Sequence, residues 1–336
     1  MPNKKINRMI IAEIGSVHDG SFGNAKKLIE LAVNCGADCV KFQTHFGNHE
    51  SLDSAPNPSY FSDEGRIEYF NRTSFSINQW RDLIDYSKEL GIKFLSSPFC
   101  IEAVDLLEEI GVFAYKIPSG EVTNLPMLEV LSNTKKPIFL STGMSNWDEI
   151  DQAYKIFKNN NLTIMQCSSK YPCDMKNVGL NILAEINERY NCTIGFSDHT
   201  LGYSASIAAA ALGAQIIEKH ITFSKNMYGS DALHSMEPAE FTLFCKEVKN
   251  TWEIMDNPVD KDDLSQYIAM KETFQKSIVA KNNLCKGSVL TFNDLAFKKP
   301  GIGIPANNYK SIIGCKLIKD IKKNDLLDFK DIDSNA

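Results

Sequence analysis

A (β/α)8 TIM barrel followed by a small β-rich domain is the fold class this sequence predicts. Three observations carry that expectation. Eight short apolar runs recur through the first 255 residues. Segments with helical apolar spacing lie between them. Past residue 256 the chain turns polar, then continues rich in Lys, Asp and Gly with only short strand-like runs.

The runs are Met9–Ile14, Cys39–Phe42, Lys93–Ser97, Ala114–Ile117, Ile138–Ser141, Leu162–Cys167, Thr193–Ser197 and Ile216–Ile221. Nearly all are continuous rather than alternating, which suits strands buried on both faces of a parallel sheet. Ala25–Val33 carries Leu28, Ile29, Leu31 and Ala32 at helical spacing, and Ile101–Ile110 carries Ala103, Val104, Leu106 and Leu107. Tyr203–Leu212 is alanine-rich. Pro238, acceptable at a first helical position, opens a last helix running to about Met255. Eight strand–helix units in about 250 residues match the count and length of a TIM barrel. A doubly wound open sheet is the alternative. The turn after the first run, Gly15-Ser16-Val17-His18-Asp19-Gly20, lacks that fold's Gly-rich phosphate fingerprint.

The expected division is a barrel over 1–256, a linker over 257–276 and a small β domain over 277–336. The last part holds a weak repeat: Lys286-Gly287-Ser288-Val289-Leu290 leads to Asp294-Leu295, and Lys323-Asn324-Asp325-Leu326-Leu327 leads to Asp331-Ile332. Two similar turn–strand units suggest a pseudo-symmetric module whose small core leans on a partner surface.

Hydrophobic residues make up 43% and charged residues 23% of the 336, ordinary for a globular protein. No apolar run reaches the ~18 residues of a membrane span, and Met9–Ile14 is too short for a signal segment. A cytoplasmic location is the expectation. Nine scattered cysteines without a C-x-x-C pair fit reduced core residues. A net charge of −6 argues against nucleic acid as a partner. Any anionic substrate must therefore be met by locally gathered positive charge.

Polar residues cluster where the runs end: Glu13; Lys41 and Gln43; Ser96 and Ser97; Lys116 and Ser119; Ser141 and Thr142; Ser168 and Ser169; Ser197 to His199; Glu218 to His220. In a barrel these ends converge on the face that holds the active site. Any one Ser also reads as a helix cap. His199 and His220 end neighbouring strands, which lie about 4.8 Å apart, so two imidazoles can share one weakly held ion; two unrelated polar histidines are the alternative. Lys41 and Lys116 sit in apolar runs, where an unpaired ammonium is costly. Each needs a substrate anion or a carboxylate such as Glu13, Glu121 or Glu218, or else one is a Schiff-base lysine. Glu13 reads as a general base, as a partner for sugar hydroxyls, or as the counter-ion of Lys41. Asp231 reads as a loop acid over the mouth or as a surface cap. His45, His49 and His234 read as loop polar groups, and Trp80, Trp147 and Trp252 as packing.

Several stretches resemble the sialic acid synthase family. They are Ile11-Ala12-Glu13-Ile14-Gly15 with His18-Asp19-Gly20-Ser21, Lys41-Phe42-Gln43-Thr44, Ser97-Pro98-Phe99, Lys116-Ile117-Pro118-Ser119-Gly120-Glu121, Ser141-Thr142-Gly143-Met144, Ser197-Asp198-His199-Thr200 and Glu218-Lys219-His220. Pro300-Gly301-Ile302-Gly303 looks like that family's antifreeze-like (SAF) tail. The resemblance covers almost the whole chain, in order. It implies a PEP-dependent transferase that condenses phosphoenolpyruvate with N-acetylmannosamine or a related 2-acetamido or diacetamido hexose. Legionaminic or pseudaminic acid synthesis is the alternative within the family, and a Schiff-base pyruvate aldolase outside it. The resemblance also implies a divalent metal, Mn2+ first, with Mg2+ or Co2+ possible, and a domain-swapped homodimer. Carried over by position, His199 and His220 hold the metal. Lys41, Ser97, Lys116, Ser119, Ser141, Ser197 and Ser169 hold phosphoenolpyruvate. Glu13, Gln43, Tyr171 and Asp231 face the sugar or the reacting centre. Two residues depart from the pattern. Lys299 stands where an Arg is expected to reach the sugar's acyl group, and lacks the planar fork. Pro118 stands where Gly is usual and removes an N–H beside Ser119.

Overall fold

The computed structural model describes residues 8–57, 64–229 and 231–333. The chain separates into two compact units between Asn257 and Pro258.

In the first unit, eight parallel strands close into a barrel in sequence order. They are β1 Met9–Gly15, β2 Cys39–Thr44, β3 Lys93–Pro98, β4 Tyr115–Ile117, β5 Ile138–Ser141, β6 Leu162–Cys167, β7 Thr193–Asp198 and β8 Ile216–His220. Each follows an expected run with small shifts at its ends. Helices alternate with the strands, among them Phe22–Asn34, Ile101–Ile110, Ser204–Ala211 and Pro238–Asp256. Local sequence sets their ends. Ser21 caps Phe22–Asn34 by accepting from the Asn24 N–H, Asn146 and Glu149 form a capping box, and Gly111 in the left-handed region stops Ile101–Ile110.

Strand alternation sorts the apolar runs into two cores. Outward positions such as Ile10, Ala12, Val40, Phe42, Ile138 and Leu140 pack against the helices. Inward positions Met9, Ile11, Cys39, Leu95, Ala114, Phe139, Met165 and Ile216 form a separate apolar cluster inside the barrel. Both faces are buried, which is why the runs read as continuous. Trp80 and Trp252 are buried in the outer core and Trp147 packs against it. All nine cysteines are free and six are buried.

The second unit has its own core of Ile278, Ala280, Leu290, Leu295, Ile304, Ile312, Leu317, Ile321 and Leu327. Strand β9 (Ser277–Ala280) pairs antiparallel with β10 (Leu295–Lys298), and β11 (Lys316–Leu317) with β12 (Ile332–Asp333). The weak repeat takes form here. Leu290 and Leu327 are both buried, and each is followed by a one-turn 3-10 helix, Phe292–Asp294 or Phe329–Asp331, that leads into a strand. Within the expected linker, Ile268–Phe274 is a short exposed helix.

Candidate active site

Backbone register decides which strand-end side chains meet. Glu13 is level with Lys41 on one side and His220 on the other; Ser197 is level with Glu218, and Gln43 with Ser97. The β1–β2 pairing slips after Glu13, so that Gly15 pairs with Phe42. Gly15 adopts φ +55, and a Cβ there would run into Asp231 Oδ2, with Gln43 and Glu13 close behind. Glycine thus brings three acceptor-side candidates around one backbone point.

Two acids and two bases fill the buried centre. Lys116 Nζ lies 2.7 Å from Glu218 Oε1, and Lys41 Nζ lies 3.1 Å from the same oxygen and 3.2 Å from Glu13 Oε2. Ser197 Oγ donates to Glu218 Oε1 at 3.1 Å, and Gln43 Nε2 donates to Glu13 Oε1 at 2.7 Å. Burial alone would raise the Glu218 carboxyl, but Lys116 and Lys41 hold it well below the usual carboxylate range. Burial pushes the Glu13 carboxyl up to about 7 against the pull of Lys41. Burial lowers Lys116 despite Glu218, whereas Lys41, between two carboxylates, is held above the usual lysine range although burial opposes it. The lysines are therefore ion-paired, and Glu218, named in the sequence only as a possible counter-ion, is the hub.

Beside this cluster, Ser97 Oγ and Ser141 Oγ are buried without a hydrogen-bond partner among the described residues. Ser119 Oγ accepts the Gly143 N–H at 3.0 Å. A Cβ on Gly143 would sit 2.6 Å from Ser169 Oγ and 2.9 Å from Ser119 Oγ, so the backbone is pressed into a seryl cradle that only glycine permits. Pro118 is accommodated at the head of the turn Ser119–Glu121, where its carbonyl accepts the Glu121 N–H at 2.9 Å. Unpaired buried hydroxyls are rare and invite an oxygen-rich ligand.

The two candidate metal ligands face one another, with ring centroids 5.6 Å apart. His199 Nδ1 bonds the Ser168 carbonyl at 2.8 Å, which fixes the tautomer and leaves Nε2 as the free lone pair, as metal-binding imidazoles usually do. The Tyr171 hydroxyl now donates to that Nε2 at 3.0 Å. His220 Nδ1 is buried without a partner, and burial lowers this imidazole to about 4, keeping it neutral. Among the described residues no set of three or more His, Cys, Asp or Glu forms a closed metal cage. The donor set fits a weak two-histidine site open to substrate oxygens.

A cavity of about 410 Å3 opens beside these groups, lined by Gln43, Tyr171, His220 and Asp231 among the expected residues. Arg66, Glu121, Met144, His45 and His234 line it too. Arg66 lies outside every motif and the two histidines read from sequence as loop polar groups, whereas Glu121 and Met144 end two of the motifs quoted above. His49 does behave as read, pairing with Glu102 at the surface. Lys299 belongs to the second unit, its Nζ 5.2 Å from the centre of the Phe274 ring.

Comparison with known proteins agrees with this arrangement. Residues 28–260 match the NeuB family and residues 275–333 the SAF domain. The chain is 36% identical to N,N'-diacetyllegionaminic acid synthase of Campylobacter jejuni, over 95% of this chain and 98% of that one. It is 34% identical to human N-acetylneuraminate-9-phosphate synthase, over 95% and 90% of the two chains. The N-acetylneuraminic acid synthetase structure from Leptospira borgpetersenii superposes with a TM-score of 0.72 at 26% identity, covering 80% of this chain and 92% of that one. With its closed barrel and its second unit, the chain belongs to the NeuB family of sialic-acid-type synthases and carries a C-terminal SAF domain.

Proposed function

We propose that this enzyme condenses phosphoenolpyruvate with N-acetylmannosamine or a related acetamido or diacetamido hexose, releasing phosphate and a nine-carbon 2-keto sugar acid. The observation that carries the reading is the buried Lys116–Glu218–Lys41–Glu13 cluster beside the unpartnered hydroxyls of Ser97 and Ser141. It is a preorganised polar pocket in an acidic protein, with donors in place before any ligand arrives.

In this reading Lys41, Lys116, Ser97, Ser141 and Ser197, with the Ser119–Gly143–Ser169 cradle, hold the carboxylate and phosphate of phosphoenolpyruvate. Gln43, Asp231, Tyr171 and Glu121 hold the sugar. C3 of phosphoenolpyruvate bonds to the aldehyde carbon of the open-chain sugar, water adds at C2, and the C2–O bond to phosphate breaks. Glu13, with a carboxyl near 7, is suited to pass a proton at the reacting centre. His199 and His220 would hold a divalent ion, most simply Mn2+, with Mg2+ or Co2+ as alternatives; when bound it supplies Lewis-acid polarisation of the aldehyde. A Schiff-base role for Lys116 is disfavoured by its 2.7 Å ion pair with Glu218.

The test is phosphate release from phosphoenolpyruvate with added Mn2+, against N-acetylmannosamine, its 6-phosphate, and the diacetamido precursors of legionaminic and pseudaminic acids. Release that needs one sugar and stops with chelator is the expected result, and that sugar names the branch. No release with any of them from folded protein overturns the reading. Two parts of the proposal concern assembly and location. The chain acts as a domain-swapped homodimer, with Lys299 at the acceptor end of a site, and it acts in the cytoplasm. A monomer by light scattering at assay concentration overturns the first. No helix among the described residues is long and apolar enough to cross a membrane.

A further inference from the structure

One wall of the cavity contains a buried acid–base pair that the reaction scheme leaves unused. His45 follows β2 directly. Its Nδ1 faces both carboxylate oxygens of Glu50, at 2.9 and 3.0 Å, and its Nε2 faces Gln43 Oε1 at 3.0 Å. Both side chains of the pair are buried, 6% and 7% exposed. The other end of the Gln43 amide, Nε2, donates to Glu13 Oε1 at 2.7 Å.

The proton inventory of this chain of groups is constrained. The Gln43 NH2 donates to Glu13, which leaves the amide carbonyl turned toward His45. A carbonyl only accepts, so His45 Nε2 must carry a hydrogen. Glu50 only accepts, so Nδ1 must carry one as well. With Glu50 ionised and the Gln43 amide set this way, both ring nitrogens donate and the ring is an imidazolium. Its surroundings suit a cation. Phe70 and Phe99 stack on its two faces, with centroids 3.8 and 3.9 Å away and planes within 9° and 20° of parallel. A cation over an aromatic face is attracted by the ring quadrupole, and here both faces are covered.

We infer that His45 is a positioning residue: held by Glu50 between two phenyl rings, it locks the Gln43 amide and through it the Glu13 carboxylate at the acceptor end of the site. The inference rests on the proposed function for the importance of Glu13, but its structural half does not. Ring 15N chemical shifts of the full-length protein, with the His45 signals assigned by their loss in His45→Phe, are expected to show both nitrogens protonated at neutral pH. Glu50→Gln is expected to convert the ring to a neutral tautomer. A neutral ring in the wild type overturns the inference, whether or not an acceptor sugar has been found.

The catalytic half is read by phosphate release. His45→Phe keeps a flat ring between Phe70 and Phe99 and removes both N–H groups. It is expected to lower kcat by about 10- to 100-fold, with the KM for phosphoenolpyruvate within about twofold. In a Gln43→Leu background the same change is expected to add less than about twofold, because the link is already broken. Multiplicative losses would mean that His45 acts only through packing. A wild type that releases no phosphate, with an imidazolium at His45, would instead overturn the proposed function and leave the relay standing.

Discussion

The floor and the mouth of the barrel interior are built by one alternation of side chains and filled in opposite ways. Ile11, Cys39, Leu95, Ala114, Phe139 and Ile216 point inward at the floor and pack as an apolar cluster. Two residues further along the same strands stand Glu13, Lys41, Ser97, Lys116, Ser141 and Glu218, equally buried. The floor holds itself together by removing carbon from water. The mouth is held by ion pairs whose desolvation offsets much of their attraction, so it adds little net stability while fixing charge in place. The difference teaches where this fold keeps polar atoms in reserve: Ser97 Oγ, Ser141 Oγ and His220 Nδ1, at the mouth, are buried without partners among the described residues.

Substitutions can break this contrast. The largest effect is expected for Glu218→Ala, which leaves Lys41 and Lys116 buried beside one another with a single remaining carboxylate. The loss is about 3–5 kcal/mol, read as a fall in the urea midpoint; an unchanged midpoint would show that water or another group reaches the lysines. Leu95→Ala at the floor is expected to destabilise by about 2–5 kcal/mol through the cavity it leaves, with the KM for phosphoenolpyruvate within about twofold. A large rise in KM would mean that floor and mouth are coupled.

The pH dependence sharpens the contrast, because only the mouth titrates. Glu13 has an ordinary value of 4.5 and a folded value of about 7. Between these the unfolded chain has released a proton that the native state keeps. Stability from this group therefore falls as pH rises from 4.5 to 7 and is constant above that. Glu218 works the other way: held low by Lys116 and Lys41, its contribution is present above the unfolded value and is lost as pH falls. Relative to Glu13→Gln, the wild type is expected to lose about 1–3 kcal/mol across the window from 4.5 to 7, measured by urea unfolding at a series of pH values. A pH-independent difference would show that Glu13 is ionised throughout. The smallest effect is expected for Ser97→Ala. Deleting a buried hydroxyl without a partner should leave stability within about 1 kcal/mol or raise it, while weakening binding of phosphoenolpyruvate in calorimetry. A destabilised variant with intact binding would place Ser97 with the floor rather than the mouth.

Much of this was legible in the sequence. The strand runs, the helices Ile101–Ile110 and Pro238–Asp256, and the polar strand ends were all there to read, because a strand buried on both faces must be apolar along its length and polar residues interrupt it only where they are used. Glu218 and His45 were harder. A carboxylate in an apolar run has a counter-ion somewhere, but register alone decides that it is shared by Lys116 and Lys41. A histidine in a loop next to Phe46 and Gly47 looks unremarkable until Phe70 and Phe99 close over it from other elements. Arg66 belongs to none of the motifs, and its place on the face of Tyr69 and Thr73 gains meaning only once the helix Arg66–Thr73 packs along the cavity.

By itself the sequence determined the eightfold strand–helix alternation, the separate C-terminal module with its twofold repeat, the family, and which residues end the strands. Each is a property of local pattern: period, capping and motif. Tertiary structure alone decided the partners. Barrel closure brings Glu13 of the first strand level with His220 of the last, and the one-residue slip at Gly15 turns Asp231 and Gln43 toward the same point. Those contacts join residues up to about two hundred positions apart, and no local pattern records which buried charge will neutralise which.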